Sequence, residues 1–218
     1  RPWDVIPDAT SHVTINRDFS NLFVCYNKLD GHTNWGEDTS STMGLQAYGS
    51  IHNMFYSFNE IKNVTHGMDI TPYYKLAAND ARAVISWNQI DRNTIESCGE
   101  AISIAMQVDS EANASNCDMS SGNVFRKNNI KNVSDYQKNS WAGSGGVGIG
   151  VGSSDAVAEG TWFTANLFEN NTFDKCTKVN IQLADRQGKN IFRNNTDNGN
   201  KFILKTLSGA EGPVEAAY

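Results

Sequence analysis

Five stretches of the chain alternate apolar residues with small or polar ones. They are Met43-Gly-Leu45-Gln-Ala47, Met68-Asp-Ile70-Thr-Pro72, Ile102-Ser-Ile104-Ala-Met106, Val147-Gly-Ile149-Gly-Val151 and Val179-Asn-Ile181-Gln-Leu183. A period of two predicts strands with one buried face. Ahead of each comes a phrase built on asparagine, as in Asn88-Gln-Ile90-Asp-Arg-Asn93-Thr-Ile95, Asn123-Val-Phe125-Arg-Lys-Asn128-Asn-Ile130 and Asn166-Leu-Phe168-Glu-Asn-Asn171-Thr-Phe173. Asn21…Asn27-Lys-Leu29 and Asn53…Asn59-Glu-Ile61 follow the phrase with one extra residue. The last copy, Asn190 to Asp197, loses its closing apolar residue.

A phrase recurring every few tens of residues marks a solenoid, each repeat stacking on the next. Asn171 and Asn195 are 24 residues apart, which suits one turn of a parallel β-helix and is too short for the helix pairs of α-solenoids. Stacking at about 4.8 Å would turn the asparagines into amide ladders. Leu29, Ile61, Ile95, Ile130 and Phe173 would form an inward column. Cys98 and Cys176 would share another column two turns apart, too distant to bond. Buried free thiols of this kind suit assembly in a reducing cytoplasm.

Asn93 to Ile104, Asn-Thr-Ile-Glu-Ser-Cys-Gly-Glu-Ala-Ile-Ser-Ile, resembles the parallel β-helix repeat of the pectate-lyase-like superfamily. That group includes polysaccharide lyases, glycoside hydrolases, uronan epimerases and bacteriophage tailspikes. The resemblance spans roughly Asn21 to Leu204. It implies an all-β chain, a single right-handed parallel β-helix domain over residues 1–218 with six to seven turns. Both ends read as uncapped, so the expectation is a piece of a longer protein, completed by flanking domains or as a homotrimer, like a tailspike. The location implied is the virion tail or the extracellular space.

Net charge is −6 with a pI near 5.2, which argues against nucleic acid or an anionic membrane as partner. No apolar run approaches the roughly 20 residues of a bilayer span. Asparagine supplies about one residue in eight, so sequons such as Asn63-Val-Thr are read as by-products.

Chemistry on such a scaffold sits in insertions and on outward strand positions. Insertions are read at Tyr73–Arg82, Asp109–Ser121 and Gly152–Thr161, stacked as one wall, with His32–Thr42 and Asp135–Gly146 opposite. The floor between them would be Asp4, Gln46, Asp69, Thr71, Ser103, Gly148, Gly150, Asn180 and Gln182. Small and amide side chains suit a hydroxyl-rich polysaccharide. Trp35, Tyr48, Tyr73, Tyr74 and Trp141 are the aromatic candidates for stacking on sugar faces. Glycoside hydrolysis needs two carboxyls. Asp69 is the first candidate and Asp4 the second, with Asp80, Asp109, Glu111 and the cation Arg82 along the wall. Substrate contacts would come from Tyr73, Tyr74, Trp35, Gln46, Asn180 and Gln182. A lyase would need a base such as His32, His66, Lys75 or Arg82, and Ca²⁺ to neutralise a uronate. Hydrolysis itself calls for no cofactor. The competing classes are an adhesive fibre segment that binds without cutting, and a secreted uronan lyase or epimerase.

Overall fold

The computed structural model describes residues 18–31, 42–48, 50–71, 73–74, 85–108, 120–134, 145–153, 163–183, 189–198 and 204–206. Among these residues all regular structure is strand, and every strand pairing is parallel. The strands Phe23–Cys25, Phe55–Ser57, Gln89–Asp91, Val124–Arg126, Leu167–Glu169 and Ile191–Arg193 lie side by side in that order as a six-stranded sheet. The alternating stretches and the ends of the asparagine phrases join in a larger sheet, whose longest members are Glu60–Thr71 and Thr94–Val108. Each segment therefore pairs with its equivalent in the repeats before and after it.

A third set of short strands was not foreseen. Asp18–Ser20, Ser50–His52 and Ile85–Ser86 pair together, as do Ser120–Ser121 and Phe163–Thr164. The supposed insertion Asp109–Ser121 therefore ends in a strand. Tyr73–Tyr74 and Gly152–Ser153 are also strand, Tyr73–Tyr74 pairing with Gln107–Val108.

The foreseen core column is present: Leu29, Ile61, Ile95, Ile130 and Phe173 pair rung by rung. Val24, Tyr56, Ile90, Phe125, Phe168 and Phe192 form a second one. Within it the Phe125, Phe168 and Phe192 rings stack with centroids 4.6 and 4.9 Å apart. In the first column Phe173 is followed by Asp197, so a carboxylate stands where the apolar series stops. Cys98 and Cys176 share an inward column with Val133 between them, and both are free thiols.

One asparagine ladder runs Asn27, Asn59, Asn93, Asn128, Asn171, Asn195. Asn93 shows its chemistry. Its Oδ1 accepts from the Asn59 backbone N–H and side-chain amide at 3.0 and 2.9 Å. Its Nδ2 donates to Asn128 Oδ1 at 3.0 Å and to the Tyr56 carbonyl at 2.8 Å. Every donor and acceptor of the amide is used, which is why it can be fully buried.

The second ladder holds Asn88, Asn123, Asn166 and Asn190. Asn53 and Asn21 are not in it, contrary to the reading of one extra residue. The rung below Asn88 is occupied by Met54, whose N–H donates to Asn88 Oδ1 at 2.9 Å. Asn21 and Asn53 instead sit one place earlier, on the left-handed corner, with φ of 57° and 51°. Asparagine favours that conformation as well as the ladder, so its identity alone did not distinguish the two places.

Candidate functional site

On the outer face of the larger sheet, Gln46, Asp69, Ser103, Gly150 and Gln182 occupy successive rungs of one column. Their neighbours Met68, Ile70, Ile102, Ile104, Ile149 and Val151 face the core, which fixes the column as outward by alternation. Asp69 is only 6% exposed. Its Oδ1 accepts from the Thr71 hydroxyl at 2.7 Å and its Oδ2 from Gln46 Nε2 at 3.1 Å.

Beside this column stands Glu100, 4% exposed. It pairs with His66 on one side and Val147 on the other. Its Oε2 is 3.5 Å from His66 Nδ1. Its Oε1 fills the space that a Cβ on Gly150 would take. The carboxyl group thus leans over the Asp69 column two rungs beyond Asp69. At about 4.8 Å per rung, roughly 9.6 Å separates the backbones at Asp69 and Gly150.

Glu100 is not among the expected site residues, and strict alternation carried backwards from Ile102 would put residue 100 inward. The chain breaks that parity. Ala101 and Ile102 are both fully buried, and side-chain directions at the equivalent positions agree. A Cβ on Gly67 would come within 2.5 Å of Ile95 Cγ2, and one on Gly148 within 2.6 Å of Phe173 Cε1. Two successive inward residues flip the phase, so residue 100 faces out. The legible signal was a glutamate followed by a small residue, aligned with glycine one rung up.

The same flip removes two residues from the expected floor. Gly148 faces the core. Asn180 is 1% exposed, and its Nδ2 donates to Asp197 Oδ2 at 3.1 Å. Asn180 therefore lies beneath the sheet, where Asp197 interrupts the apolar column, and not on the outer face. Gln46 is exposed and Gln182 half-buried on that face. Tyr73 and Tyr74 are placed by backbone pairing next to Gln107 and Val108. Asp4, Asp80, Arg82, Asp109, Glu111 and Trp35 lie outside the described residues, as does Trp141.

Among the described residues no group of three or more His, Cys, Asp and Glu side chains gathers as a metal site. Nor is any helix there long and apolar enough to cross a membrane. No protein-family model, curated protein or solved structure matches the chain.

Proposed function

We propose that the chain is a single right-handed parallel β-helix of six to seven turns that binds and cleaves a polysaccharide, in the manner of a phage tailspike depolymerase acting on a bacterial surface glycan. The observation that carries this reading is the pair of buried carboxylates, Asp69 and Glu100, on the outer face of one sheet. Inverting glycosidases hold their two carboxyls about 6.5–9.5 Å apart, leaving room for a water, whereas retaining ones hold them near 5 Å. The backbones beneath the two groups, at Asp69 and Gly150, are about 9.6 Å apart, which leaves room for the inverting arrangement, with one group protonating the leaving oxygen and the other activating the water. Gln46, Ser103 and Gln182 supply donors and acceptors for sugar hydroxyls along the same column. A homotrimer, or flanking domains of the same protein, would cover the ends of the sheets.

The test is turnover of bacterial surface polysaccharides by the wild type, Asp69→Asn and Glu100→Gln, read as new reducing ends and as absorbance at about 235 nm, the unsaturated product of a lyase. Each variant should lose at least two orders of magnitude in turnover, with reducing ends and no absorbance in the wild type. Asn at position 69 is accommodated because either the Thr71 hydroxyl or the Gln46 amide can turn to accept from its Nδ2 while the other goes on donating to its Oδ1, so folding should persist. Unaltered turnover in both variants would move the chemistry elsewhere. Binding without any turnover would favour an adhesive fibre.

A further inference from the structure

Trp87 stands at a corner of the fold, between strand Ile85–Ser86 and strand Gln89–Asp91, and is 63% exposed. Its φ is 60°. The corner requires only left-handed backbone, and Asn21, Asn53, Gly122 and Ala165 supply it in the same column. Asparagine or glycine meets that demand with less strain than a bulky side chain. A tryptophan is therefore not what the corner itself selects.

The ring is held in a defined pose. The point where a Cβ on Gly122 would stand lies 2.5 Å from Trp87 Cε3, 2.7 Å from Cζ3 and 2.8 Å from Cδ2. Near-equal distances to three consecutive ring atoms place that point over the ring face and not beyond its edge. The indole lies flat on the Gly122 backbone, an approach that any other residue at 122 would block. More than half of the side chain stays exposed in this pose. Beyond Gly122 the next corner is Ala165, and the corner before Trp87 is Asn53, both exposed. Neither carries charge, and Asn53 brings an amide within one rung of the ring.

A fixed, flat, exposed indole with an uncharged amide beside it matches the C–H face and hydroxyl edge of a neutral pyranose. We infer that Trp87 is a stacking subsite for a neutral hexopyranose unit, on a different part of the surface from the Asp69–Glu100 column. This rests on the carbohydrate reading above, but not on cleavage. Among the described residues the corners next to Trp87 are uncharged, and the first cation of the column, Lys189, lies three rungs away beyond Ala165, so a uronate gains no counter-ion at the ring.

Affinity electrophoresis of the full chain through gels holding dextran, mannan, xylan, alginate or purified bacterial O-polysaccharide tests it. At least one neutral glycan should retard the wild type. Trp87→Asn should weaken that retardation by roughly tenfold in apparent affinity. Its fold should survive, since asparagine already occupies this corner at Asn21 and Asn53. Trp87→Phe should keep part of the effect. Equal retardation of wild type and Trp87→Asn on every glycan would overturn the inference, as would no retardation of the wild type. Dissociation of an oligomer by Trp87→Asn, with glycan retardation unchanged, would make the ring a subunit contact and overturn it too. Trp87-dependent retardation without turnover would remove cleavage and leave this subsite standing.

Discussion

Glu100 and Gly150 share one volume: the Glu100 carboxylate lies where a Cβ on Gly150 would stand, one strand away on the outer face. Two residues back, Gly148 faces the core, and a Cβ there would come 2.5 Å from the Asn180 carbonyl oxygen and 2.6 Å from the Phe173 ring. The two glycines should respond in opposite ways to the same change. Gly150→Ala displaces only the tip of a flexible side chain, so its melting temperature should hold or rise, by up to about 1 kcal/mol of stability. Its turnover should fall, because the Glu100 carboxyl must swing aside. Gly148→Ala meets backbone and a packed ring and should destabilise by about 2 kcal/mol or more. Thermal melts and turnover of the two variants check both.

Asn93→Ala removes an amide that bonds to Asn59, Asn128 and Tyr56. It leaves the Asn59 N–H groups without an acceptor and the Tyr56 carbonyl without its side-chain donor, all buried. About 3 kcal/mol or more should be lost in urea unfolding. Asn27, half-buried at the start of the same ladder, should cost less when changed to Ala.

Tyr56 is 3% exposed and its hydroxyl has no hydrogen-bond partner among the described residues. Burial raises its pKa well above the usual phenolic value. Phenylalanine fills the same column at Phe125 and Phe168. Tyr56→Phe should therefore be neutral or stabilising, by up to about 1 kcal/mol, since it relieves an unmet polar group. A clear loss in the melting temperature would show that the hydroxyl is bonded in solution.

Burial, with the Asp197 carboxylate adding to it, pushes the Cys176 thiol up to about 12. Burial raises Cys98 well above its ordinary value, with Cys176 and Glu100 adding to the shift. A folded-state pKa above the unfolded one means the folded chain holds protons that the unfolded chain releases. This contribution is intact below about pH 8.5 and falls as pH rises from there toward 12. Melting temperature measured from pH 7 to 11 should decline, and Cys98→Val with Cys176→Val should flatten the decline. Valine already occupies that column at Val64 and Val133. Iodoacetamide should label neither thiol in the folded protein as fast as a free cysteine.

The sequence by itself determined what depends on repetition. Identical residues at a fixed period can satisfy one another only when stacked in register, so the ladder from Asn27 to Asn195 and the column from Leu29 to Phe173 were legible before any coordinates. The separation of Cys98 from Cys176 followed from the same arithmetic. Only the tertiary structure decided where strict alternation fails. The phase flip at Ala101 and Ile102 turned Glu100 outward and took Gly148 and Asn180 inward, because a chain bending around a core can present two successive residues to it. Asn21 and Asn53 were misread for a related reason, since corner and ladder both favour asparagine and only hydrogen-bond partners separate them. The flat seat of Trp87 on Gly122 joins residues 35 apart in the chain, and a contact of that kind has no period to betray it.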